Sequence, residues 1–212
     1  MAVLEIALPK LKKDAAKIAE AEETILPSFR VKLQEAGVLN GLRGFFVTEN
    51  GQDIRQDFRE VLLLEWPHIQ KFKDFIVSPA YLGFAGQVKD IAYGPPELKL
   101  FDVSDDISSI FGSETTLEYL VVKPKDTSEA SVKSLLQKLQ SNLPQFGAAK
   151  AAAASSLNLE TQEIAVVGLY TSDAEFETAK VSASRQKLLA DIANAADVTS
   201  LVAHVAKEIP VV

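Results

Sequence analysis

Two short runs limit what this chain can fold into. Val61 to Leu64, inside the stretch Phe58–Trp66, and Ile164 to Val167, inside Gln162–Tyr170, are apolar at every position. A strand with one wet face alternates apolar and polar residues, so runs without alternation belong to strands covered on both faces. Any sheet holding them has a packing layer on each side.

The chain around the first run reads as six elements. Val3–Leu8 is a strand stopped by Pro9, and a helical pattern follows from about Asp14, with Ile18, Ile25, Phe29 and Leu33 on one face. Pro27 predicts a kink or break in that helix, and Gly37 its end. Leu42–Thr48 and Phe58–Trp66 pair as a hairpin across Asn50-Gly51, a dipeptide that supplies the positive φ angles of a tight turn. Pro67 is expected in the first turn of a helix with the stripe Ile69, Phe72, Phe75 and Ile76. Ser78-Pro79 interrupts it, and a second piece runs from Ala80 to Ile91 before Gly94-Pro95-Pro96. Leu98–Val103 is the last strand of this half.

After a polar stretch, Ser104–Ser113, the order starts again. Leu117–Val122 is a strand, and Asp126-Thr127-Ser128-Glu129 is a capping-box signal for a helix with Val132, Leu135, Leu136 and Leu139 inward. Pro144 and Gly147 end that helix. The alanine-rich Ala148–Ala154 reads as a connector, with a weak strand expected near Ser155–Leu159. Gln162–Tyr170 is the second doubly covered strand. Ser172-Asp173-Ala174-Glu175 caps a helix expected to run to Ile192, and Leu201–Val205 is the final strand.

Setting Trp66 on Tyr170 places Phe72 on Phe176 and Ser78 on Ser182 without a gap, so the halves form a divergent repeat of a βαββαβ unit. Such a ferredoxin-like unit covers one sheet face with its helices and leaves the other apolar and bare. Packing the two bare faces together yields an α+β fold: two tandem ferredoxin-like repeats, expected over 1–106 and 114–212, closing into a single-chain, pseudo-dimeric α+β barrel. A doubly wound α/β fold would need crossover helices between parallel strands and a glycine-rich first turn, and neither is present.

The formal charge of −7 argues against a nucleic-acid or anionic-membrane partner. With no cysteine there is no disulfide, thiol nucleophile or cysteine–metal site, and two histidines leave little for metal. No Walker-type loop, dinucleotide fingerprint, nucleophile elbow or zinc spacing occurs, so no cofactor is expected. The apolar run within Met1–Lys13 is too short for a signal sequence and no stretch reaches membrane-span length, which predicts a cytoplasmic protein. The expected partner is an apolar small molecule, and the expected state is monomer or homodimer.

The segment Glu65-Trp66-Pro67-His68, followed by Phe72, Phe75 and Ser78-Pro79-Ala80-Tyr81, resembles the antibiotic-biosynthesis-monooxygenase-like members of the dimeric α+β barrel superfamily. In outline the chain is most similar to their tandem fungal members. The resemblance is strong over about twenty residues. In the second half Tyr170 replaces Trp66, Ser172 stands at the position of His68 and Arg185 at that of Tyr81, so a site belongs to the first half. The resemblance implies activities from cofactor-free monooxygenation and polyketide cyclisation to haem breakdown and stress-protein assembly.

Several residues carry candidate chemistry. His68, at a helix start, has the residue type of a base near neutral pH, against the plainer reading of a capping or surface histidine. Tyr81 has a hydroxyl able to steady an enolate, or is a packed aromatic with a wet tip. Trp66, Phe45, Phe46 and Phe72 either line a pocket for a flat apolar ligand or are core. Arg43 and Glu65 lie in apolar strands, where an unpartnered charge is costly, and are expected to pair with each other or face a cavity. His204 is expected in the core or an interface, and Glu20, Glu22 and Glu23 on a solvated helix face. The leading expectation is a cofactor-free cyclase, isomerase or monooxygenase acting through an enolate on an aromatic or polyketide-like molecule. Its rivals are a non-catalytic binder or stress protein and, through His68, haem binding or degradation. A cavity of roughly 300 Å³ or more reached by His68 or Tyr81 would favour the enzyme.

Overall fold

A computed structural model describes residues 2–103 and 107–209. The first half runs β1 (Val3–Leu8), α1 (Ala15–Thr24), α2 (Leu26–Ala36), β2 (Asn40–Glu49), a short β3 (Gln52–Asp53), β4 (Glu60–Trp66), α3 (Ile69–Ile76), α4 (Pro79–Val88) and β5 (Glu97–Asp102). The second follows with β6 (Thr116–Pro124), α5 (Glu129–Ser141), β7 (Lys150–Ser156), β8 (Ile164–Tyr170), α6 (Asp173–Lys180), α7 (Ala183–Ala193) and β9 (Ala196–Ile209).

Eight strands close into one antiparallel barrel in the order β2-β4-β1-β5-β7-β8-β6-β9, with β9 pairing back onto β2. The two seams between the halves differ. β2 and β9 pair from Gly41↔Ile209 to Glu49↔Leu201, whereas β5 and β7 share only Phe101↔Ser156 and Asp102↔Ser155. At the long seam a Cβ on Gly44 would lie 1.8 Å from the His204 carbonyl oxygen, so closure needs glycine there. Near the short seam the buried Lys99 and Glu163 pair at 2.7 Å.

The pleat explains the two unbroken apolar runs. Val61 and Leu63 point into the barrel with Leu4, Ile6, Phe101, Tyr119, Val167 and Leu169. Leu62, Leu64 and Trp66 point outward beneath Phe29, Leu33, Phe72 and Phe75. In the second half Ile164 and Val166 lie under Val132, Leu135, Leu139, Leu188 and Ile192. The barrel interior thus takes the place of the bare faces that the sequence required to be covered. Ile107, Ile110 and Phe111 also enter this interior, although the stretch holding them looks polar overall; Ser104–Asp106 lie outside the described residues.

Most local expectations hold, including the break before Pro27 and the Asn50-Gly51 turn, where both residues have positive φ. Others are corrected. Ala148–Ala154 is not a connector: Lys150–Ser156 is the strand β7, paired with β8 from Lys150↔Leu169 to Ser155↔Ile164. Alanine favours strands weakly, and the neighbouring ladder overrides that preference. Pro67 lies outside α3, because extended His68 is the N-cap. The helix expected to reach Ile192 breaks at Ser182, the N-cap of α7. Ser128, not Asp126, caps α5; Asp126 accepts instead from Ser128 N at 2.9 Å and Ser131 Oγ at 2.6 Å.

Candidate active site

A cavity of about 110 Å³ lies between the outer face of the first-half sheet and its four helices. Its floor is Glu5 and Ala7 of β1, Arg43 of β2, Glu60, Leu62 and Leu64 of β4 and Leu98 of β5. Ile18, Phe29, Phe75, Tyr81 and Phe84 from the helices form its roof.

Glu5 is there because β1 alternates: Leu4 and Ile6 go into the barrel, which sends Val3, Glu5 and Ala7 outward. The residue is 4% exposed, and its carboxyl's hydrogen bond among the described residues comes from Trp66 Nε1, which donates to Oε2 at 2.6 Å. Burial pushes the Glu5 pKa up to about 7, with the indole hydrogen bond opposing the shift only in part. A carboxyl that titrates near neutrality facing an apolar cavity has the acid–base character of a catalytic group.

Trp66 is fully buried, with its ring edge-on to Phe72 at 5.9 Å and tilted against Phe75 at 5.5 Å. It therefore holds Glu5 from the side, on the same sheet face, and does not line the cavity. Tyr81 does line it. Ser78 Oγ caps α4 by accepting from Tyr81 N at 3.2 Å, which sets the tyrosine over the sheet, and its ring meets Phe75 at 5.7 Å. Burial, reinforced by the nearby Glu5 carboxyl, raises the Tyr81 pKa, so the hydroxyl stays a donor.

At the other end of the cavity Arg43 pairs with Glu60 and, at 3.0 Å, with Glu22. The expected Arg43–Glu65 pair does not form. Arg43 is opposite Leu62 on the outer face, whereas Glu65 is on the alternate pleat and accepts from Asn40 Nδ2 at 2.7 Å and Ser108 Oγ at 2.6 Å. Glu22 is likewise not on a solvated face but half-buried against this site, while Glu20 and Glu23 are exposed.

The other expected site residues lie elsewhere. His68 is exposed at the start of α3 and does not line the cavity. Phe45 lines a neighbouring groove with Phe58, Arg55 and His204, and Phe46, which also borders that groove, is packed in the barrel interior. Phe72 packs on Trp66 under the helices. His204 is exposed and not core: its Nε2 lies 2.9 Å from Asp173 Oδ2. Of the expected residues, the fold brings Arg43 and Tyr81 to one cavity and adds Glu5, which the sequence reading passed over. The signal was available, since Glu5 sits in the apolar strand Val3–Leu8, the same cost that singled out Arg43 and Glu65.

The second half has the same frame with different contents. Glu118 of β6 occupies the place of Glu5 and, like it, is buried. Arg185, at the position of Tyr81, pairs with Glu118 through Nη2 and donates from Nη1 to the Tyr170 hydroxyl at 2.8 Å. Tyr170 donates to Glu118 at 3.2 Å, and Ser200 Oγ adds a donor at 2.9 Å. Arg185 also lies over the Phe146 ring, so this space is filled by side chains.

The sequence matches no family model and no curated protein. In fold, the chain is similar to a candidate monooxygenase from Fusobacterium nucleatum (TM-score 0.66, 12% identity, 96% of this chain and 92% of that one). It is similar also to an anthrone oxidase-like protein (TM-score 0.63, 13% identity, 98% and 94%). A third likeness is to the chlorite dismutase of Candidatus Nitrospira defluvii (TM-score 0.52, 10% identity, 97% and 91%). At these identities the likeness is one of fold: a dimeric α+β barrel contained in a single chain.

Some proteins of this fold hold haem, and the residues of the first-half cavity do not fit it. Neither histidine lines the first-half cavity, and a raised pKa keeps Tyr81 from being a ready phenolate ligand. About 110 Å³ is also well under the roughly 300 Å³ at which small-ligand sites begin. No cluster of three metal-ligating side chains occurs among the described residues, and none of their helices is long and apolar enough to cross a membrane.

Proposed function

We propose that the first half, residues 1–106, is a cofactor-independent proton-transfer site for a compact apolar small molecule, and that the second, 114–212, is its sealed counterpart. Ionised Glu5 takes a proton from an activated C–H beside a carbonyl. The electron pair moves onto the oxygen as an enolate, and the Tyr81 hydroxyl donates a hydrogen bond to it. Return of the proton to another carbon is isomerisation and attack on an internal carbonyl is cyclisation; oxygenation needs dioxygen as co-substrate. Trp66 positions Glu5, and the Arg43–Glu60 pair closes the polar end.

The observation carrying this reading is a buried carboxyl with one neutral donor, facing an apolar cavity. Cavity size sharpens the substrate. An apolar cavity of about 150 Å³ accepts benzene, so one of about 110 Å³ takes a single ring or less and excludes a polycyclic polyketide unless the helices part.

The test is deuterium exchange at the activated C–H of small cyclic ketones, followed by NMR in D₂O. The rate should rise with pH through about 7 and level off, because the base is the ionised form. Glu5→Gln should abolish it, and Tyr81→Phe lower it by about 10²–10³. Exchange that survives Glu5→Gln contradicts the assignment. The same small volume favours a second reading, a non-catalytic binder, which predicts ligand uptake with no enzyme-dependent exchange.

A further inference from the structure

We propose that Phe84 is a movable partition between the Glu5 cavity and an outer groove, and that the ligand is a single aromatic ring carrying a linear apolar chain. This rests on reading the cavity as a ligand site. A groove of about 390 Å³ lies on the far side of α4, and Tyr81, Phe84, Val88, Ala92, Gly94 and Pro96 line both spaces. The two spaces thus adjoin, separated by a wall of side chains they share. Joined, the two spaces fall within the roughly 300–1,000 Å³ of small-ligand sites, which the inner one alone does not reach.

Phe84 is the part of that wall whose displacement would open it. Its ring is held by stacking on Phe29 at 3.5 Å and 11°. The helix bearing it is only partly covered: Ala80, Tyr81 and Phe84 pack against the core, but no residue of α4 is fully buried, although the helix is largely apolar. Gly83 and Gly86 flank Phe84 with open space where a Cβ would be, so close packing does not require them to be glycine. Each lowers helix propensity by about 1 kcal/mol relative to alanine.

The opening left by one displaced ring is narrow. With the ring's polar end at Glu5 and Tyr81, a substituent leaving past Phe84 enters a groove walled by Tyr93, Pro95 and Pro96. A linear chain fits such a passage, whereas a fused ring system does not.

The test is calorimetric titration of phenol and its 4-ethyl, 4-butyl and 4-hexyl derivatives into the wild type, Phe84→Ala and Phe84→Trp, with Phe84→Leu replacing the alanine variant if that one unfolds. Wild type and Phe84→Ala should gain affinity about fourfold per methylene through hexyl, the value for burying a CH₂. In Phe84→Trp the gain should stop at ethyl. A Phe84→Trp series parallel to wild type, or an affinity that falls beyond ethyl in both wild type and Phe84→Ala, overturns the partition. The chain-length gain should persist in Glu5→Gln. A gain in a wild type that exchanges no substrate proton would sink the proton-transfer reading alone, exchange by the wild type without the gain would sink the partition alone, and no binding by any member would sink both.

Discussion

The two halves place a buried glutamate at the same point of the same sheet face and treat it in opposite ways. Glu5 meets one neutral donor and a cavity; Glu118 meets a guanidinium and two hydroxyls. The structural correspondence is close. β4 and β8, α3 and α6, and the starts of α4 and α7 all align with one constant offset, and their N-caps His68 and Ser172 share nearly the same backbone angles. What separates a carboxyl left to burial from one paired with a charge is the side chain at the third position of the helix above it, Tyr81 or Arg185. A tyrosine there leaves the carboxyl to the cost of burial, which its proton relieves; an arginine relieves the same cost with charge.

The comparison breaks most sharply at Arg185. Arg185→Met should strand Glu118 as a buried unpaired charge and cost about 3–5 kcal/mol in urea denaturation at pH 7. Adding Glu118→Gln should recover most of it, and no recovery would mean that Arg185 stabilises by packing.

Glu5 is expected to act in the reverse sense. Its folded pKa is raised from 4.5 to about 7, so the folded state binds the proton more tightly. Stability is unaffected well below pH 4.5, falls as pH rises through the interval to about 7, and by pH 8 is lower by about 3 kcal/mol. Glu5→Gln keeps an acceptor for the Trp66 indole and removes that decline, so the variant should be more stable at pH 8 and about equal at pH 4. A wild type whose stability is flat over this interval would erase the difference between the halves.

Much of the fold is legible in the sequence because it rests on patterns that packing leaves in place. Residues 61–64 and 164–167, apolar throughout, demand cover on both faces, and the Trp66/Tyr170 register gives the repeat. β7 was hidden because alanines carry no strand signal and take their structure from β8. The site was less legible, since it depends on which pleat face a residue occupies. Arg43 and Glu65 look alike as charges in apolar strands, yet one faces the helices and the other the barrel. Glu5 is singled out only when the same cost is applied to the first strand.

Smaller effects sharpen the picture of α4. Gly83→Ala and Gly86→Ala meet no neighbour and should each stabilise by up to about 1 kcal/mol while slowing ligand entry, read by thermal melting and stopped-flow binding. The smallest effect is expected at His68, exposed and with no side-chain capping bond. His68→Ala should change stability by no more than about 0.5 kcal/mol and leave proton exchange intact. A large loss of exchange would return the base to the helix start.

The most direct test is a carbon-detected NMR titration of the glutamate side-chain carboxyls, with Glu5 assigned through Glu5→Gln. Glu5 should titrate at about 7. Glu5 titrating near 4.5 would contradict the account.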